Sequence, residues 1–149
     1  MYKFKKILFG LDLNHLSGEA FEYAIYLADR NEAKLDIVYV CPNYHLRSVD
    51  VYFPENVIEE VKSRALTSIE ELCKEKVLDH IDREIHMLEE NTPYQAIIKK
   101  AKELGTDLIV LGGHDRHHLD EILLGSNTEK VVRYAPCSVI VIKDQNTKL

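Results

Sequence analysis

The chain has 149 residues, with 19 Lys+Arg against 25 Asp+Glu and a formal net charge of −6. This length suits one compact domain, residues 1–149, whose core needs neither a disulfide nor a metal. At 46% hydrophobic and 30% charged residues, the composition excludes the disordered, collagen-like and membrane classes. Its acidity argues against nucleic acid as the main partner, because phosphate backbones attract basic surfaces. The start MYKFKKILFGLDL holds an apolar run from Ile7 to Phe9 only. A signal peptide needs about 7–15 apolar residues and a membrane helix about 20. The expectation is a cytoplasmic protein that does not engage a membrane. Cys41, Cys73 and Cys137 are widely spaced and odd in number, so they read as buried thiols in a reducing compartment.

Along the chain, short apolar runs alternate with helical stretches. Lys6–Leu11 is the first predicted strand. Phe21, Ala24, Ile25 and Ala28 then follow i, i+3, i+4, i+7, which puts one apolar stripe on the first helix. Leu35–Val40 is the second strand, and Pro42–Pro54, with Tyr44, His45, Tyr52 and Phe53, is a long irregular loop. Ile58, Val61, Ala65, Ile69 and Leu72 give the second helix its stripe. In Ile81–Leu88 the apolar Ile81, Ile85 and Met87 alternate with Glu84 and His86, as in a half-exposed edge strand. Thr92-Pro93-Tyr94-Gln95 predicts a third helix start with a capping box, and Gly105 its stop. Asp107–Leu111 is the fourth strand. Ser126-Asn127-Thr128-Glu129 is a second capping box, opening a helix that Pro136 ends, and Ser138–Ile142 is the last strand.

Five strands alternating with four helices, without repeats or low-complexity linkers, predict a doubly wound α/β domain: a parallel five-stranded sheet covered on both faces. Ligands of such sheets sit at the carboxyl ends of the strands, where the strand order reverses. Gly10–Asp12, Val40–Pro42 and Leu111–Asp115 would surround that crevice. Neither GxxxxGK[ST] nor GxGxxG after the first strand is present, which removes the P-loop and dinucleotide readings. The fourth strand instead ends in Gly112-Gly113-His114-Asp115, and Gly125-Ser126 opens the following helix. Glycines let backbone approach phosphate oxygens, and a helix N-terminus offers free N–H groups to them.

On these residues, and on the closing Pro136-Cys137-Ser138-Val139-Ile140-Val141-Ile142, the chain resembles the universal stress protein family over roughly residues 3 to 143. Nucleotide-binding members carry G-x2-G-x9-G-[ST]. Gly112, Gly125 and Ser126 match at that spacing, while Asp115 stands where the second glycine belongs. The resemblance implies a strand order of 3-2-1-4-5 and a homodimer paired through Val139–Ile142. It also implies an ATP site: Gly10 and Asp12 at adenine and ribose, Val40 reading the adenine edge, Leu111 and Gly112 beside ribose and phosphate, and Gly125, Ser126 and Asn127 around the phosphates. Asp115 sets a carboxylate beside the phosphate. At about 4 Å each unit charge pair costs roughly 1 kcal/mol in water and about 4 at intermediate dielectric. Binding is therefore expected to be weakened, or to depend on a bridging Mg²⁺.

The remaining candidates are weaker. His114, His117 and His118 lie with Asp115, Asp120 and Glu121 in one loop; this could hold a transition metal but reads first as a solvated segment. His15 reads as a surface residue. Ser17 and Ser126 read as helix caps, and no residue stands out as a catalyst. Lys99, Lys100 and Lys102 read as the solvated face of the third helix. An interaction-only family member is the main alternative. A phosphoacceptor receiver domain would want paired acids after the first strand, and an adenylyl transferase an HxGH-type loop there; Leu11-Asp12-Leu13-Asn14-His15 provides neither.

Overall fold

The computed structural model describes residues 2–11, 18–41, 54–113 and 126–143, except for the side chain of Ser126. Nine elements succeed one another among them: β1 (Lys6–Leu11), α1 (Glu19–Asn31), β2 (Lys34–Cys41), α2 (Glu55–Lys76), β3 (Arg83–Glu89), α3 (Pro93–Leu104), β4 (Leu108–Gly113), α4 (Ser126–Tyr134) and β5 (Ser138–Lys143). The strands form one sheet in the order β3-β2-β1-β4-β5, and every neighbouring pair is parallel. The expected α/β architecture and strand order are observed.

Side chains alternate across the sheet, so each strand feeds two cores. Ile7, Phe9, Leu35, Ile37, Leu108 and Val110 pack with Phe21, Ala24 and Ala28 of α1 and Ile69 and Cys73 of α2. Leu8, Val38, Ile109 and Leu111 pack on the other face with Ile97 and Ala101 of α3 and Val131 of α4. The first core is anchored by Phe9 and Phe21, whose ring centroids lie 5.1 Å apart.

The predicted stripe of α1 is buried throughout. That of α2 needs correction. Val61 is 45% exposed, and Cys73 takes a buried place beside Ile58, Ala65 and Ile69. Buried residues both precede and follow Val61 in α2, so at 3.6 residues per turn it stands at the angular margin of the buried stripe. The capping box expected at Thr92 is not formed: Thr92 is the N-cap residue of α3 but makes no side-chain cap bond, and Gln95 donates to the Tyr94 hydroxyl instead. Helix α3 still begins there, since Pro93 has no N–H to satisfy. Its end is as expected, with Gly105 at φ 64° and its N–H bonded to the carbonyls of Ala101 and Lys102. Glu129 is engaged by Arg133 along the α4 surface. Strand β3 begins two residues later than the alternation suggested, and Ile81 is buried in the preceding turn.

All three cysteines are free; Cys41 and Cys73 are buried and Cys137 half-buried. Burial is the main cause that pushes each thiol above its ordinary pKa, with Glu89 adding to the effect at Cys41. A raised thiol pKa leaves less thiolate at neutral pH, and thiolate is the reactive form. Labelling with a chromogenic disulfide reagent at pH 7.5 is expected to be slow in the native protein and complete within minutes in denaturant. Rapid labelling of Cys41 or Cys73 in the native state would contradict this burial.

Candidate functional site

The strand order reverses at β1. The connections from β1 through β2 to β3 proceed to one side, and β4 and β5 lie on the other. The helices that come after β1 and β4 cover opposite faces, so the chain parts at the carboxyl ends of this central pair and leaves a crevice. Leu11 ends β1 and Gly112-Gly113 end β4. Because α4 joins two parallel strands, its N-terminus at Ser126 lies on the same carboxyl edge. The peptide N–H groups of its first turn, which have no partner within the helix, therefore point toward that edge.

Gly10, Val40 and Leu111 share the α3 side of the sheet. Gly10 is paired with Val38 on one side and Leu111 on the other. A Cβ built on Gly10 would lie 2.6 Å from Leu111 Cδ2 and 3.5 Å from Ile97 Cδ1. Glycine here lets α3 and β4 close over β1, a packing role that its sequence position did not suggest. Val40 is half-buried against the same core, and Leu111 is buried. Gly112 faces the opposite side, where an added Cβ would meet Ala20 Cβ of α1 at 3.5 Å. The start of α1 thus reaches the end of β4. Asn127 is exposed in the first turn of α4. Gly10, Val40, Leu111, Gly112 and Asn127 are so distributed along the carboxyl half of the sheet and the head of α4. Asp12, Asp115, Gly125, the Ser126 side chain, His15, Ser17, the histidine loop and residues 42–53 lie outside the described residues.

One grouping near this edge went unnoticed in the sequence. Tyr94, in the first turn of α3, lies with its ring centroid 6.5 Å from that of Tyr134, and Lys130 Nζ sits 5.0 Å from the Tyr94 centroid. The ammonium over an aromatic face couples α3 to α4 and sets a positive charge one turn inside α4. Sequence separation hides this contact: only the packing of α3 on α4 joins Tyr94 to Lys130.

The family model for the universal stress protein family matches residues 3–143. The chain belongs to the universal stress protein family. A putative universal stress protein of Staphylococcus haemolyticus is 32% identical over 149 residues, covering 97% of this chain and 88% of its own. Among solved structures, a universal stress protein in complex with cAMP superimposes with a TM-score of 0.69 at 22% identity, covering 97% of this chain and all of the other. The Archaeoglobus fulgidus universal stress protein in complex with dAMP does so with a TM-score of 0.64 at 21% identity, covering 95% and all of the respective chains. At these identities the two structures share the fold with this protein.

The two candidate glycines among the described residues, Gly10 and Gly112, differ in the room they leave, and this can be tested. Gly10→Ala is expected to cost about 1–3 kcal/mol, because Leu111 must move inside a packed core. Gly112→Ala meets only ordinary contact and should cost less than about 1 kcal/mol. Urea unfolding of both variants checks the contrast; equal losses would show that Leu111 does not confine Gly10.

Proposed function

We propose that this universal stress protein binds an adenine nucleotide, ATP with or without Mg²⁺, in the crevice between the carboxyl ends of β1 and β4, and acts as a dimeric regulator or sensor in a stress response. The observation that carries the reading is the bracketing of one segment by Gly112 and Ser126. Two residues without side chains, Gly112 and Gly113, end the strand, and a helix N-terminus opens after the segment. This combination suits a phosphate group, which takes backbone N–H bonds and the positive end of the helix dipole. The fold shared with proteins solved with cAMP and dAMP is consistent with an adenine ligand. Gly10, Asp12 and Val40 would hold the nucleoside, Leu111 and Gly112 the ribose–phosphate side, and Gly125, Ser126 and Asn127 the phosphates. Mg²⁺, when bound, would neutralise phosphate charge, with Asp115 as a carboxylate ligand. No catalyst is assigned.

The second reading is a family member that works through protein contacts alone, and Asp115 favours it. Calorimetry with ATP separates the two. Wild-type protein is expected to bind ATP more tightly with Mg²⁺ than without, and Asp115→Gly to bind more tightly than wild type in magnesium-free buffer, by about tenfold for each 1.4 kcal/mol of repulsion removed. Absence of binding by both proteins with and without Mg²⁺ would establish the interaction-only reading.

The dimer is proposed through β5. Among the described residues this strand closes the sheet with one edge unpaired, Val139 to Ile142 are half-buried, and the adjoining α4 exposes Val132 and Tyr134. An apolar edge of this kind favours pairing with a second copy. Sedimentation equilibrium is expected to give a dimer for the wild type and a monomer for Val141→Lys. A wild type that stays monomeric at high micromolar concentration would remove the interface.

A further inference from the structure

Among the described residues, Asp36 is the one buried acid. Its side chain is 1% exposed on a sheet face whose neighbouring positions are Leu8, Val38 and Ile109. An isolated carboxylate in such surroundings is costly unless it is matched by charge and hydrogen bonds. Its partner is His86 on β3, with Nε2 2.8 Å from Asp36 Oδ1 and a side chain only 10% exposed. Glu84 is paired in register with Asp36 across the two strands. One donor atom each from Asp36, Glu84 and His86 lies within 4.8 Å of the others.

We propose that Asp36, Glu84 and His86 form a binding site for a single divalent transition-metal ion of the zinc class, on the α3 face of the β2–β3 edge. The site is separate from the nucleotide crevice. Asp36 is the third residue of β2 and Glu84 the second of β3, so the cluster occupies the amino-terminal part of the sheet, whereas the crevice opens at the carboxyl ends. Imidazole with carboxylates is a donor set that suits zinc-class ions better than Mg²⁺ or Ca²⁺, which prefer oxygen alone.

The geometry needs only local adjustment. Bonds of about 2.0–2.2 Å set neighbouring tetrahedral ligands roughly 3.3 Å apart, between the present 2.8 Å contact and the 4.8 Å span. The ion takes the place of the proton on His86 Nε2, which leaves a neutral imidazole protonated at Nδ1. Two carboxylates and one neutral histidine balance the 2+ charge, and solvent completes the coordination from the exposed Glu84 side. The burial of Asp36 and His86 fixes two ligands in advance, so little side-chain entropy is lost on binding.

Lys34 is the competing cation. Its Nζ lies 2.6 Å from Glu84 Oε2 and 3.5 Å from Asp36 Oδ1. The Lys34 hydrogen bond to Glu84 holds the carboxyl below and the ammonium above their ordinary pKa values. Lys100 of α3 also acts on Glu84 through its charge. The ammonium of Lys34, on a partly exposed side chain, must swing out for a metal to enter. This makes a sharper test than ligand removal alone. Without the ion, losing Lys34 removes a cation from both Glu84 and the buried Asp36 and brings no gain in metal affinity; with it, the site should improve.

Titration of nucleotide-free protein with Zn²⁺ in an isothermal calorimeter tests the site, with circular dichroism monitoring the fold of each variant. Wild type is expected to bind one ion per chain at micromolar affinity in the presence of excess Mg²⁺. His86→Ala and, as a milder change, Glu84→Gln should each weaken binding by about tenfold or more, while Lys34→Met strengthens it. A variant carrying His114→Ala, His117→Ala and His118→Ala together should bind as wild type does. Unchanged affinity in Glu84→Gln and His86→Ala, loss only in the triple-histidine variant, or no Zn²⁺ binding by the wild type would overturn the proposal. None of these outcomes depends on nucleotide binding.

Discussion

Strand β1 is the constraint on which the rest of the fold depends. Ile7 and Leu8 have no exposed surface and Phe9 very little, yet their side chains point to opposite faces. A strand buried on both faces and paired along both edges must have helices above and below it and strands to left and right. Two cores result, one built on Ile7 and Phe9, the other on Leu8. The same strand is where the chain reverses its direction of travel across the sheet, so the element that organises the core also creates the crevice.

That coincidence explains why Gly10 is ambiguous. In sequence it stands at the end of a strand beside a candidate ligand loop, and the family resemblance assigns it to the nucleoside. In the fold its missing side chain is replaced by Leu111 and Ile97, so packing alone requires glycine there. The two roles are compatible, because a backbone that lets neighbouring side chains approach closely also stays free of bulk near the crevice. Gly112 differs, with room for a methyl group against Ala20. Packing does not demand glycine at that position, so its place at the carboxyl end of β4 matters more than the side chains around it.

Two groups of charged side chains are assembled from distant parts of the chain. At the carboxyl edge, the head of α4 and Lys130 provide positive character. At the amino edge, Asp36, Glu84 and His86 gather beneath α3, with Lys34 held among them. The overall charge of −6 conceals this arrangement. A net value describes solubility and broad partner classes; the partners an individual acid can meet depend on which strands are neighbours. Asp36 and His86 are 50 residues apart, and only the parallel pairing of β2 with β3 makes them a pair.

Periodicity made the elements legible from the residues alone. Strand runs of Ile, Val and Leu and the stripe of α1 are consequences of which side chains leave water, a property each residue carries with it. The Gly105 stop is equally local, since the left-handed backbone there favours glycine in any context. Less was available where the outcome depends on competition. Thr92 and Gln95 carry the right types for a capping box, but Gln95 finds Tyr94 instead. Val61 has an i+3 spacing from Ile58, but it stands at the angular margin of the stripe formed by Ile58, Ala65, Ile69 and Cys73. Glu84 and His86 show strand alternation, yet nothing in that pattern says that the polar face meets a buried acid. Hydrophobic spacing and local backbone preference therefore account for the α/β class and its element order. Side-chain pairing, the closeness of Gly10 to Leu111 and the cluster of Asp36, Glu84, His86 and Lys34 come from contacts between distant segments, whose energies exist only once the strands have taken their places.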